Sequence, residues 1–218
     1  MNKRIAHLFL LLILFVGNVH SGDYKSSIFL KGLYITSSKI YLYPDASDFI
    51  LRSKYLPIEN IYGGGVDFRV NLSSAKIQLG LSVDFISKAQ KNDLQKTEDG
   101  FTAIPVEISG YFYIPITNSD ISIFMGTGAG LYFGERKYSL NNQQAILIDK
   151  KFGFGIHVLG GIDYSVYENF ILRSQLKFRD LYFRTTNQFV ASDIDEKPFV
   201  SQVNVDGMIV ELGIVFTF

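Results

Sequence analysis

Eight segments of the chain alternate between apolar and polar residues. In the stretch AKIQLGLSVDFIS, every second residue from Ile77 to Phe85 is apolar, and the residues between them are polar or glycine. A period of two residues predicts a β-strand whose two faces meet different surroundings. The predicted strands span Ser26 to Ser38, Asn60 to Leu72, Ala75 to Ser87, Thr102 to Ile114, Asp120 to Arg136, Phe152 to Ser165, Asn169 to Arg184 and Gly207 to Phe218.

The connections between these strands alternate in length. Short ones occur around Ser73-Ser74, Pro115 to Asp120 and Val166 to Glu168. Short and long connections therefore fall at opposite ends, which predicts an all-β, eight-stranded antiparallel up-and-down sheet with both chain ends at the short-turn end. The long connections run from Tyr43 to Glu59, Lys88 to Gly100, Arg136 to Lys151 and Thr185 to Val205.

Glycine on the polar face indicates which side of the sheet faces inward. A soluble barrel has its apolar face inside, whereas a transmembrane barrel has it outside. Bare glycine suits the crowded lumen of an eight-stranded barrel and would weaken strands exposed to water. We therefore predict a transmembrane β-barrel whose inner face carries Gly63, Gly65, Gly80, Gly126, Gly128, Gly130, Gly153, Gly155, Gly161 and Gly213.

The first residues resemble an export signal. Lys3 and Arg4 precede the apolar run from Leu8 to Val16, and small residues follow up to Ser21. This pattern predicts a signal peptide over residues 1–21 and a barrel domain over 22–218, whereas a membrane anchor would need a longer apolar run. Loss of Lys3 and Arg4 from 21 basic residues leaves 19 against 21 acidic ones, a net charge near −2 that gives no indication of a nucleic-acid partner.

Composition excludes some classes of protein. The chain has no cysteine, so it has neither a disulfide framework nor a lipid attached to an N-terminal cysteine. It has 13 tyrosines and 19 phenylalanines but no apolar run after residue 21 that is long enough for a membrane helix. High aromatic content without such a run favours strands.

The last predicted strand carries a family resemblance. The alternate apolar residues that end on a phenylalanine resemble the C-terminal signature of bacterial outer-membrane barrels, and the eight-strand pattern resembles the small barrels of the OmpA/OmpX type. The resemblance implies a monomer in the outer membrane, in contact with outer-membrane lipid and lipopolysaccharide, and assembled by the barrel-assembly machinery. The residues that carry this assembly signal are Val210, Leu212, Ile214, Phe216 and Phe218.

Few residues suggest chemistry. The glycines of Gly126 to Gly130 resemble part of a dinucleotide loop, but they fall on alternate positions of a strand and no helix follows, so no cofactor is predicted. His157, Asp163 and Ser165 share a face, but six residues at about 3.3 Å each separate His157 from Asp163 by some 20 Å. A serine from a neighbouring strand remains an alternative partner for His157. We predict no catalytic residue and no metal site.

Charged residues on the polar face predict an ion-paired lumen. Strand pairing sets His157 near Lys177, sets Asp163 diagonal to Arg173, and brings Glu211 near Lys31, Arg173 and Lys177. Buried charges must be paired or hydrated, and a balanced set favours a plugged interior. The predicted lumen charges are Lys31, Asp67, Arg69, Lys76, Asp84, Glu107, His157, Asp163, Arg173, Lys177, Arg179 and Glu211.

The resulting functional hypothesis is an integral barrel that serves envelope structure or surface interaction through its loops. A small-solute channel and a lipid-modifying outer-membrane enzyme are the alternatives. Apolar residues in the long connections, around Phe49 to Tyr55 and Val190 to Phe199, indicate contact with a partner or with lipopolysaccharide. The loop carboxylates do not have the spacing of a calcium loop.

Overall fold

The computed structural model describes residues 26–72, 76–92, 96–116, 120–141, 143–191, 194–195 and 197–218. The predicted signal peptide and the Ser73-Ser74 turn lie outside these residues. In the described part of the chain, no helix is long and apolar enough to cross a membrane.

The described residues form fourteen strands and one short helix. The strands pair antiparallel, and eight of them make the wall of a closed barrel, as the alternation predicts. In chain order the elements are β1 Ser26–Tyr41, α1 Phe49–Arg52, β2 Tyr55–Asn71, β3 Ile77–Asn92, β4 Thr97–Ile114, β5 Ile121–Leu140, β6 Gln143–Gln144, β7 Ile146–Lys151, β8 Gly153–Tyr167, β9 Phe170–Arg179, β10 Tyr182–Gln188, β11 Val190–Ala191, β12 Ile194–Asp195, β13 Phe199–Asn204 and β14 Met208–Thr217.

The barrel closes where β14 pairs with β1. Ser27 lies opposite Thr217, and the ladder runs without interruption to Ile35 opposite Ile209. Beyond its last paired residue, Phe218 exchanges two backbone hydrogen bonds of 2.9 Å with Ser26. The two strands therefore leave no free edge at the seam, as a sheet in hydrocarbon requires.

Three of the four predicted long loops are largely strand. β3 and β4 continue past the membrane-facing segments as a hairpin that pairs Asn92 with Thr97. β10 pairs with both β7 and β13, and β13 pairs with β1. The prediction of loops over these ranges is wrong because the chain stays paired as strands there, in β3 with polar residues such as Lys88 and Gln90. The seventh predicted strand is also divided, since β9 ends at Arg179 and β10 begins at Tyr182.

The outer face of the barrel is apolar. Side chains such as Phe85, Ile108, Ile156 and Leu212 are each more than half exposed on this face. A surface of this kind is stable against lipid and costly in water.

Glycines on the two faces of the barrel wall differ in how closely neighbouring atoms approach them. At each of the ten glycines predicted for the lumen, a β-carbon would come under 3.0 Å from a neighbouring atom. The outward-facing Gly32, Gly64, Gly110 and Gly160 leave at least 3.5 Å. The inner face is therefore packed so tightly that glycine is required there by close approach.

Candidate functional site: the filled interior

Six charged side chains form a closed ring of ion pairs across the middle of the barrel. Positive and negative charges alternate, so each has two partners of opposite sign, at N–O distances from 2.8 to 3.4 Å. The side chains are at most 2% exposed. In order around the ring they are Lys31, Asp84, Arg179, Glu107, Lys177 and Glu211.

The acidic members of the ring accept further hydrogen bonds. Glu211 contacts Lys31 at 3.1 Å and Lys177 at 2.9 Å, and it also accepts a hydrogen bond from Gln175. Glu107 contacts Lys177 at 2.8 Å and accepts a hydrogen bond from Tyr132 at 3.2 Å. Buried charges are tolerated only when such partners replace water. Because each ring member is held by its neighbours, the ring acts as one unit.

A layer of arginine and aromatic side chains lies below the ring, on the side of the short turns. The Arg69 guanidinium donates to Asp67 at 2.8 Å and to Gln175 at 3.0 Å, and it stacks 3.5 Å from the centre of the Tyr111 ring. The Tyr111 hydroxyl donates to the same Asp67 carboxylate at 3.0 Å. This layer thus combines an ion pair with a cation–π contact, which are both strengthened by exclusion of water.

A second arginine completes that lower layer. Arg173 holds Asp163 through two hydrogen bonds of 2.7 Å and donates to the Tyr113 hydroxyl at 2.8 Å. Its guanidinium also lies 4.9 Å from the centre of the Phe124 ring. Gln175 is the residue directly opposite Glu211 on β9, and Arg173, two residues away from Gln175, binds Asp163 and Tyr113.

His157 packs against Ser109. Its Nε2 lies 2.8 Å from the Ser109 hydroxyl, and its Nδ1 lies 3.9 Å from Glu107. Arg179 is the residue directly opposite His157, and Lys177 lies near His157 as predicted, since it contacts the same Glu107 carboxylate at 2.8 Å. A serine and a carboxylate on β4 thus meet a histidine on β8 across Gly128 of the intervening β5, but the three residues are at most 2% exposed. The Nδ1 to Glu107 distance exceeds hydrogen-bond length.

Lys76 does not belong to the lumen. It precedes β3 and is exposed, whereas the other eleven side chains predicted for the lumen are buried. Lys76 has the same parity as the inward-facing residues of β3, but it lies before the first residue of that strand, so its side chain does not enter the lumen. The lumen charges that remain are five cationic and five acidic side chains with one histidine.

An apolar cluster fills the lumen above the ring, and sequence reasoning missed it. Because its residues share the inward face with the charges, the prediction of a polar inner face holds only for the lower part of the barrel. Alternation in β13 and in the upper part of β2 is the signal that would have indicated it. The cluster contains fourteen buried side chains: Leu33, Ile35, Ile40, Ile58, Ile61, Ile86, Phe101, Ala103, Tyr132, Leu181, Phe183, Val203, Val205 and Ile209.

A change of face in β1 and β2 helps to build this cluster. The ladder between these strands skips the pair Thr36 and Asn60, and Asn60 has a positive φ of 54°. Below this point Leu33 and Ile35 point inward, and above it Ile40 does. Positive φ is uncommon outside glycine but is tolerated by asparagine, so this residue type fits the position.

A polar and aromatic layer covers the apolar cluster. Arg136 pairs with Asp99 and donates to the Ser201 hydroxyl at 2.6 Å. The Tyr138 ring lies 4.7 Å from the Arg136 guanidinium and packs against Phe199. Four successive layers therefore occupy the barrel from the short-turn end to the long-loop end.

The residues of the predicted assembly signal lie on the outer face of β14 or just beyond it. Leu212, Phe216 and Phe218 are largely exposed there, and Val210 and Ile214 are partly exposed. Phe216 packs edge-on against Phe170 of β9 at 5.6 Å between ring centres. Their role in assembly stays a prediction.

Comparisons by sequence find no match to a known protein family and none to a curated protein. Solved structures do match. The outer membrane protein OprG from Pseudomonas aeruginosa is 15% identical with a TM-score of 0.67, and the alignment covers 91% of this chain and 96% of OprG. A major outer membrane protein from Thermus thermophilus is 11% identical with a TM-score of 0.58, over 90% of this chain and 100% of that protein.

A third structure has the same architecture but a lower TM-score. Ail, the attachment invasion locus protein of Yersinia pestis, in complex with a heparin analogue, is 15% identical with a TM-score of 0.50, over 90% of this chain and 100% of Ail. At such identities the shared property is the fold. The chain thus has the fold of the small eight-stranded β-barrel proteins of the bacterial outer membrane, and its apolar outer face fits a lipid surrounding.

Proposed function

We propose that the protein is a closed barrel that contributes to envelope structure and interacts with its surroundings through its outer surface and its extended long-loop end. The observation that carries this proposal is the ring of six ion pairs, whose side chains occupy the middle of the lumen and are at most 2% exposed. Charges held in mutual contact do not offer a hydrated path for ions. The aromatic layer below the ring and the apolar cluster above it support the same conclusion.

The alternative function is a small-solute channel, and conductance measurements distinguish a channel from a closed barrel. The refolded wild-type protein is expected to give no discrete conductance steps in planar bilayers in about 1 M salt, where charge steering is screened. The conductance of the wild type is compared with that of the Lys177→Ala, Glu211→Ala double variant, which lacks two neighbouring charges of the ring. Reproducible wild-type steps with ion selectivity would contradict the proposed function.

A further inference from the structure

We propose that a basic rim on the outer face of the barrel binds a phosphorylated glycolipid of the outer leaflet. The basic rim consists of Arg184 on β10, Lys151 on β7, Lys39 on β1 and Arg52 of α1. This inference rests on the proposed function, because it names the partner of the outer surface.

Strand pairing places the strand-borne cations of the rim on the outer face. Tyr41, Gln202, Arg184 and Lys151 are successive partners across β1, β13, β10 and β7. The residues that precede Tyr41 and Arg184, namely Ile40 and Phe183, are buried in the apolar cluster. Since side chains alternate between faces along a strand, Tyr41 and Arg184 point outward.

The rim lies at the depth of lipid head groups. Tyr182 is 41% exposed and Phe152 is 65% exposed, and both are on the outer face at the upper limit of the apolar belt. Arg184 follows Tyr182 by two residues, and Lys151 directly precedes Phe152. Aromatic girdles mark the membrane interface, so these cations lie where lipid phosphates are found.

The helix α1 and the strands enclose a pocket beside the rim. The pocket has a volume of about 380 Å³ and is lined by Tyr41, Phe49, Arg52, Arg184, Gln202 and Asn204, among others. Arginine binds phosphate through paired hydrogen bonds, whereas amides and aromatic rings suit the hydroxyls and faces of sugars. The combination therefore favours a phosphorylated sugar over a simple phosphodiester.

Two exposed apolar side chains of α1 lie beside this pocket. Phe49 is 72% exposed and Ile50 is 68% exposed, and α1 buries no residue against the barrel. Asp48 caps the helix by accepting a hydrogen bond from the Ile50 amide at 2.8 Å, so the two apolar side chains are presented in a fixed turn. Exposed apolar residues beside cations at an interface are suited to contact with acyl chains.

The acidic neighbours of the rim do not prevent binding. Asp45 contacts Arg184 at 2.9 Å and Asp206 contacts Lys39 at 3.3 Å, but the carboxylates are 60% and 35% exposed. Exposed ion pairs contribute little free energy, so a phosphate with several oxygens can replace these partners. Arg52 contacts the ring of Phe49 and is exposed.

The test is binding of purified bis-phosphorylated lipid A to the full chain in phosphatidylcholine nanodiscs. The Arg52→Gln, Arg184→Gln double variant is expected to raise the Kd roughly tenfold or more, which corresponds to the loss of at least one charged contact. Lys91→Gln is the matched control because Lys91 also forms an exposed ion pair, at 3.7 Å from Glu98, on another part of the long-loop end. It is expected to bind as the wild type does.

Three further measurements identify the source of the phosphate. Dephosphorylated lipid A and phosphatidylglycerol are each expected to bind more weakly than lipid A, and millimolar inorganic phosphate is expected not to displace it. The Phe49→Ser, Ile50→Ser variant is expected to weaken lipid A binding as well. Equal affinity for phosphatidylglycerol, displacement by free phosphate, or equal loss in Lys91→Gln would overturn the inference.

Separate outcomes distinguish a folding defect, a failure of this inference and a failure of the proposed function. If the double variant does not show the heat-modifiable migration of a folded barrel, Arg52→Gln alone decides the question, because its exposed side chain supports no buried contact. Unchanged binding in that variant contradicts the site. A conducting barrel that still binds lipid A through the rim would contradict the proposed function alone, whereas a closed barrel without this binding would contradict only this inference.

Discussion

Lys31 on the first strand and Glu211 on the last strand meet at 3.1 Å inside the barrel, next to the seam where these strands pair. The contact joins the two ends of the sheet through side chains as well as through backbone hydrogen bonds. Both residues also belong to the ring of six charges, so the seam and the closure of the lumen depend on the same ion pairs.

The first prediction concerns Glu211. The Glu211→Gln substitution leaves Lys31 and Lys177 each with one acidic partner in a site that excludes water. We expect it to lower the free energy of unfolding by roughly 3 to 5 kcal/mol, the range for breaking buried ion pairs. Denaturant unfolding of refolded protein in detergent or bilayers measures this loss.

Glu98 provides the control for that substitution. It forms an exposed pair with Lys91 at 3.7 Å, so Glu98→Gln is expected to change stability by less than about 1 kcal/mol. Equal effects of the two substitutions would contradict a dry ring.

The second prediction compares two glycines on adjacent strands. A β-carbon on Gly128 would lie 2.7 Å from the His157 ring and 2.1 Å from the Ile108 carbonyl oxygen, whereas one on Gly110 would meet nothing within 4 Å. Gly128→Ala is expected to cost about 1 to 3 kcal/mol through overpacking. Gly110→Ala, which faces outward, is expected to be neutral or to stabilise by up to about 1 kcal/mol. The same unfolding assay distinguishes them, and a reversed order would contradict the assignment of faces.

The third prediction concerns Ser109 and His157. Ser109→Ala removes the hydroxyl that lies 2.8 Å from His157 Nε2 and is expected to cost about 1 to 3 kcal/mol of stability, the penalty for a buried polar group left without its partner. Fatty-acid release from lipid A is expected to stay at background for the wild type and the variant. Activity in the wild type that disappears in Ser109→Ala would instead support the lipid-modifying enzyme.

The fourth prediction concerns the assembly signal. Phe218→Ala keeps the two backbone hydrogen bonds to Ser26 and removes only an exposed ring. We expect less folded protein in the outer membrane of cells but an unchanged midpoint of unfolding for purified, refolded protein. Phe170→Ala is the control, since Phe170 packs against Phe216 at the same level of β9. Phe170→Ala is expected to assemble as the wild type does, and normal assembly of Phe218→Ala as well would contradict a signal that includes Phe218.

The barrel itself is predictable because period-two alternation and the lengths of the connections specify strand number and order. Glycine indicates the inner face, since a β-carbon on each of the ten predicted lumen glycines would come under 3.0 Å from a neighbouring atom, whereas the outward-facing ones leave at least 3.5 Å. The divided strands are not predictable in the same way. Polar residues such as Lys88 and Gln90 continue the alternation of β3 beyond the apolar belt, where a water-exposed strand and a loop have similar composition.

The partners of individual charges depend on register. Asp163 and Arg173 can be paired from the sequence because they flank one short turn. The ring depends on contacts across the lumen, for example between Lys31 and Asp84, which lie on strands that are not neighbours. Alternation specifies that these side chains point inward but not which of them meet, and it gives no sign of the face change at Asn60, where φ is positive.

The most direct test of the central claim, that the middle of the barrel excludes water, uses the absence of cysteine in the chain. Ser82 is 2% exposed and lies on β3 between Asp67 and Glu107 of the neighbouring strands. The measurement is the rate at which a membrane-impermeant thiol reagent modifies a Ser82→Cys variant in lipid vesicles, relative to an Ala89→Cys variant at the exposed end of the same strand. The account predicts rapid modification at position 89 and, at position 82, a rate at least about a hundredfold lower, because reaction there requires a rare opening of the packed interior. Comparable rates at the two positions would show that water reaches the ring and would contradict a closed lumen.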